Sequence, residues 1–224
     1  YRSSPREAPA ALLRAIRKTS VDGLHVVTSP RELSAHDVRE DLFLRRCIDA
    51  CDVGRHYDYV LIDNAPGIDT LQICAMHAAQ ELFVPTELRQ FAVDGIVEME
   101  RMLREQFPGA APITKIIPNF YRNTKRQNSF LPALNRLFPG RVTRTVIPVD
   151  QVFDELITEY KVLFLHRLFS RGAAYYLKLV HELFDLREET VWENMMAKRR
   201  TRMSEEARER FYSRQAQAEE RHEH

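Results

Sequence analysis

Four short apolar runs, each stopped abruptly by a polar residue or a proline, constrain this chain more than any other feature. They are "YDYVLID" (57–63), "ELFVP" (81–85), "ITKIIPN" (113–119) and "VTRTVIP" (142–148). Helical stretches of roughly 10–17 residues separate or follow them. "DTLQICAMHAA" (69–79) reads as a helix with Asp69 as its N-cap. Residues 91–107 carry an amphipathic stripe through Ile96, Met99, Met102, Leu103 and Phe107. Further helices are expected over 125–138, 150–158 and 170–186. Upstream, the pattern predicts a helix over 8–19, a strand over 23–29 between Gly23 and Pro30, and a helix over 36–53 that includes Val38. Strands alternating with helices imply parallel β-α units. The expected fold is therefore α/β, a doubly wound and mostly parallel sheet flanked by helices. Continuous rather than alternating apolar runs suit strands covered on both faces.

In such sheets ligands bind where the strands end. Asp63, Pro85, Asn119 and Pro148 all fall at predicted strand ends and should gather along one rim. The run over 59–62 that stops on Asp63, followed by Pro66 and Gly67, is a Walker B pattern. A rigid strand would hold the carboxylate where it can orient Mg²⁺ and its waters. The same Asp also suits a turn or a helix cap. The phosphate-cradling partner of that pattern, G-x-x-x-x-G-K-[ST], does not occur in these 224 residues, and Gly67 and Gly95 are isolated. With Tyr1 first and only seven glycines, the expectation is a protein whose N-terminal portion lies outside this sequence.

Composition is that of a globular chain, 44% hydrophobic and 29% charged, with a formal net charge of +1. A cationic surface must then be local. No apolar run approaches the roughly eighteen residues of a membrane span, and no secretory signal is visible. Cys47, Cys51 and Cys74 are few and odd in number, which suits a reducing compartment and small buried thiols better than a metal site. From about Arg187 the character changes. The segment 187–224 lacks Gly and Pro, balances Lys/Arg against Asp/Glu, and has few apolar residues beyond Trp192, Met195 and Met196. It reads as a charged helical extension of a domain that spans residues 1–186.

The stretch "YDYVLIDNAPGIDTLQICAMHAAQELFVPTELRQFAVDGIVEME", with "TVIP" (145–148) and "SRGAAYYLKLVHEL" (170–183), resembles the ParA/MinD family of deviant-Walker ATPases, in its ParA-like branch. The matching positions are Asp63, Pro66, Pro85, Ala92 and Gly95, and the likeness spans roughly residues 20–185. The resemblance implies a Mg²⁺-dependent ATPase that dimerises around ATP and binds DNA without sequence preference. It implies that a ParB-like or cargo-adaptor protein stimulates it, and that it works in the cytoplasm on the nucleoid to segregate plasmid or chromosomal DNA or another cargo. It gives Asp63 the metal and water, through which it would be catalytic, and Asn119, Pro148, Val149 and Asp150 the base. Arg122, Lys125, Arg126, Arg144, Arg167 and Arg171 fall in its DNA-contacting regions. Two positions depart from the family pattern: "DNAPG" after the strand, and Val149 where an arginine commonly stands.

Each of these residues also has a plain reading. Asn119 and Pro148 suit turns, and clustered arginines are usually a solvated face. The rival function is a non-hydrolysing scaffold of the same fold. A Rossmann-like enzyme fits poorly, because no glycine fingerprint or Ser/His/Asp grouping is present. The tail offers too narrow an apolar face for a membrane-surface helix.

Overall fold

The computed structural model describes residues 7–29, 40–65 and 67–184. Pro30, Val38, Pro66 and the expected extension 187–224, with its boundary at 186, lie outside the described residues. Two compact units divide the chain. One comprises Tyr1–Val84 and Arg89–Ile116, the other Pro85–Leu88 and Ile117–His224.

In the first unit, α1 (Ala8–Ala15) packs on α2 (Phe43–Ala50), and α2 packs on α3 (Thr70–Ala78). α1 ends earlier than its pattern suggests. Arg17 and Lys18 instead form β1, paired antiparallel with β2 (His25–Val26), which keeps only two residues of the run 23–29. Cross-strand pairing outweighs the continuing helical period there. The helix expected over 36–53 is α2 followed by a 3₁₀ turn, Val53–Arg55. α3 starts as its sequence predicts. The Asp69 carboxylate accepts from Leu71 N at 2.8 Å, and Gln72 closes the capping box.

β3 (Leu82–Glu87) and β4 (Ile113–Asn119) lie side by side and are joined through α4 (Gln90–Gln106), the crossover unit that the alternation predicts. α4 buries Val93, Ile96 and Leu103 and sets Arg101 between Glu98 and Glu105 on its solvent face. Pro85 is exposed within β3, where its missing N–H costs the ladder least. β4 is the best-buried strand, with Ile116 at 0% exposure.

In the second unit follow α5 (Lys125–Leu137), α6 (Gln151–Thr158), α7 (Leu163–His166) and α8 (Arg171–Phe184). The run 142–148 does not form a ladder of its own. It is held to the end of β4 by a parallel bridge between Tyr121 and Pro148 and by Ile147 N donating to Pro118 O at 2.9 Å.

The run 57–63 is the largest departure from expectation. It has no strand assignment, and Tyr59, Val60 and Leu61 are 56, 50 and 80% exposed. A strand is stable only when a neighbour completes its ladder, and none of the described strands pairs with it. The buried strand predicted to carry Asp63 is therefore corrected to a largely exposed segment with no ladder partner among the described strands.

Among the described residues, no helix is long and apolar enough to cross a membrane.

Candidate nucleotide and nucleic-acid site

The second unit gathers most of the predicted site residues around the end of β4. Backbone bonds fix the frame. Tyr121 N donates to Ile147 O at 3.0 Å, and Val149 N donates to Tyr121 O at 3.1 Å. The turns at 119–121 and 147–149 thus run side by side. Side chains lock the loop that follows. Gln127 Nε2 donates to Phe120 O at 3.1 Å while its Oε1 accepts from Arg122 N at 2.8 Å. The Tyr121 hydroxyl donates to Asn123 Oδ1 at 2.8 Å. Thr124 caps α5 by accepting from Gln127 N at 3.2 Å.

Beside this loop lies a cavity of about 490 Å³, lined by Tyr121, Arg122, Asn123, Val149, Gln151 and Arg171. Its size is that of small-ligand sites. The arginines at 122 and 171, drawn from separate parts of the sequence, converge on it. Arg171 also lies 5.6 Å from the Tyr175 ring centroid, and Lys178 approaches the same ring at 5.6 Å.

The remaining cations are distributed differently. Lys125 and Arg126 occupy the first turn of α5, which holds no acidic residue. Positive charge there opposes the helix dipole, so it costs stability and strengthens the local positive potential. Arg144 lies 3.9 Å from Glu182, and Arg167 lies 3.8 Å from Glu155.

The four candidate base contacts are not equivalent. Val149 lines the cavity. Pro148 is buried in the bridge to Tyr121. Asn119 Oδ1 accepts from Phe120 N at 2.8 Å, which leaves its amide nitrogen as the group able to meet a ligand. Asp150 is committed to the scaffold. Its Oδ1 accepts from Val152 N at 3.1 Å and its Oδ2 from Gly172 N at 2.8 Å, so one carboxylate caps α6 and tethers the start of α8. Gly172 suits that approach, because a Cβ there would meet Phe153 Cζ at 2.7 Å.

Glu182 sets the position of the segment leading into the site. Burial pushes its carboxyl up, but backbone donors at Arg144 and Thr145 outweigh that and hold it below the usual range. The two N–H groups lie at 2.6 and 2.9 Å. Sequence reasoning overlooked Tyr121, Asn123 and Gln151 as cavity walls. The density of side-chain amides and hydroxyls over 119–128 was the available signal.

Asp63, in the first unit, is exposed and makes no hydrogen bond or ion pair among the described residues. One carboxylate is one oxygen donor. Mg²⁺ takes six and keeps most of them as water and phosphate. Among the described residues, no group of three His, Cys, Asp or Glu side chains forms a metal cage. Cys47, Cys51 and Cys74 are buried, and burial raises all three thiols. That disfavours the reactive thiolate.

Helix-linked strands with polar side chains collected where they end are the architecture of P-loop ATPases, and solved structures of that class superpose on this fold. The Pyrococcus furiosus cell division ATPase MinD aligns with a TM-score of 0.63 at 19% identity, covering 83% of this chain and 77% of that one. A variant of Cyanothece McdA in complex with ATP gives 0.65 at 16% identity, covering 83% and 76%. A family described as an AAA domain matches residues 10–107. The chromosome partitioning protein ParA of Caulobacter vibrioides is 29% identical over 187 residues, 79% of this chain and 69% of the relative. The sporulation initiation inhibitor protein Soj of Bacillus subtilis is 24% identical over 184 residues, 78% and 72%. These matches agree with the ParA/MinD resemblance read from the sequence.

Proposed function

We propose that this chain is the body of a partition-type ATPase that seats ATP at the end of β4, dimerises around it and binds DNA through its cations. The observation that carries this reading is the loop clamp at 119–121 and 147–149, with Arg122 and Arg171 converging on one cavity. The relatives named for chromosome partitioning and the neighbouring complex with ATP support it. Val149 and the amide of Asn119 frame the base, with Pro148 and Asp150 shaping the wall behind. Asp63 orients Mg²⁺ and the attacking water. Arg122, Lys125, Arg126, Arg144, Arg167 and Arg171 supply sequence-independent phosphate contacts. Of these, Lys125 and Arg126 are the best supported, because they add to the positive end of α5. In this reading residues 1–186 form the nucleotide-binding domain and 187–224 a charged extension. The partners are a second copy, DNA and a ParB-like or cargo-adaptor activator, and the setting is the cytoplasmic nucleoid.

The test is a mobility shift of duplex DNA at two salt concentrations, with and without ATP. Binding that weakens steeply with salt and strengthens with ATP supports the proposal. Salt-independent or absent binding removes the DNA part. For turnover, Asp63→Ala should abolish ATP hydrolysis, and undiminished hydrolysis would rule out that role for the carboxylate. A second reading, a scaffold that does not hydrolyse ATP, draws on the exposed run Tyr59, Val60 and Leu61. It predicts DNA binding that is indifferent to ATP.

A further inference from the structure

Arg122 stands on a backbone that its neighbours must hold in place. Two left-handed residues flank the pair Tyr121–Arg122: Phe120 has φ 52° and Asn123 has φ 54°. Asparagine tolerates that region and phenylalanine rarely enters it. Such a conformation persists only where the surroundings over-determine it. One side chain supplies much of that restraint. The half-buried Gln127 donates from Nε2 to Phe120 O at 3.1 Å and accepts at Oε1 from Arg122 N at 2.8 Å. A side-chain amide carries a donor and an acceptor together, so it bridges the peptide groups on either side of Tyr121. The far end of the loop is tied separately. The Tyr121 hydroxyl donates to Asn123 Oδ1 at 2.8 Å, and Asn128 Nδ2 donates to the same oxygen at 3.1 Å.

The loop so held carries Arg122 to the wall of the cavity that Arg171 also lines. An arginine on an unrestrained loop loses backbone and rotamer freedom when it grips an anion. A loop already fixed on both sides of the residue removes the backbone share of that cost. The restraint itself stands on firm ground. Gln127 lies in the first turn of α5, and its own N–H donates to the capping Thr124 Oγ1 at 3.2 Å. We propose that Gln127 is a positioning residue for Arg122, fixing its backbone so that the guanidinium meets a phosphate of duplex DNA. The inference rests on the DNA-binding reading above, and it gives that reading an uncharged residue that acts through another.

Titration of duplex DNA with the full chain and MgATP, at several salt concentrations, tests it. Arg122→Ala removes one phosphate contact, so the slope of log affinity against log salt should shrink by about 0.9. Gln127→Ala removes no charge, yet it should weaken binding several-fold and move the slope the same way. The double variant should bind no worse than Arg122→Ala, because both changes act through one contact. Folding is read separately. The Thr124 cap uses the backbone of Gln127, so Gln127→Ala should lower Tm by a few degrees at most. Gln127→Met keeps the length without the amide and should reproduce the binding loss, which keeps the test decisive if the alanine form folds poorly. Wild-type affinity and slope in Gln127→Ala and Gln127→Met would overturn the inference and leave DNA binding standing. Effects of Gln127→Ala and Arg122→Ala that add in full would overturn it too. A wild-type chain that binds no DNA would remove both the inference and the reading beneath it.

Discussion

The loop after β4 and the segment 57–65 begin from the same sequence pattern, an apolar run that ends on a polar residue and a turn. They finish in opposite states. The loop over 119–128 has its backbone polar groups met by Gln127, Asn119 and Ile147, and it stands on Ile116, Ile117 and a fully buried Pro118. Tyr59, Val60 and Leu61 are exposed, and Asp63 has no described partner. An apolar run specifies a capacity to pair, whereas a site needs the partner itself. β4 has β3 beside it and the 147–149 turn bonded to its end, so its polar end residues are held in place.

Truncations in the two runs should separate them most strongly. Ile116→Ala, at a residue with 0% exposure, should cost about 2–5 kcal/mol. Leu61→Ala, at 80% exposure, should stay within about 0.5 kcal/mol. Urea denaturation of both variants reads the contrast. A large loss at Leu61 would show that 59–62 is covered in solution and would erase the difference between the two regions.

Asp150→Ala comes next in size. It removes the acceptor of both Val152 N and Gly172 N, and about 2 kcal/mol should be lost from two helix starts at once. Thermal unfolding measures it, and an unchanged Tm would mean that Asp150 is free to serve the ligand after all.

The smallest expected effect is a pH dependence. The Glu182 carboxyl lies below its ordinary range in the folded chain, because its backbone donors outweigh its burial. A lowered folded pKa means that the unfolded chain binds the proton more readily. The contribution is therefore complete above the ordinary carboxyl pKa of about 4.3 and is lost as pH falls through the lower folded value. Glu182→Gln should lower Tm by a few degrees at neutral pH and flatten the acid limb below about pH 4. An acid limb as steep as that of the wild type would place the responsible group elsewhere.

Much of the local structure was legible. Asp69 announces the start of α3, the pattern over 125–138 marks α5, and the stripe through Ile96 and Leu103 falls on the buried face of α4. These signals lie within one or two helical turns, so the sequence contains them whole. The site was legible only in part. Arg122 and Arg171 were both candidates, but nothing in the sequence brings them to one cavity or turns Asp150 from ligand contact to helix cap.

The Asp69 cap, the amphipathic face of α4 and the positions of α3, α4, α5, α6 and α8 followed from the sequence alone, because propensity and periodicity act over a few residues. Tertiary structure decided which apolar runs became strands, why α1 yields to β1, and which polar side chains are already occupied. Each of those outcomes depends on a partner distant in sequence. A backbone N–H or a carboxylate acts according to what faces it in space, and neighbours along the chain do not reveal that.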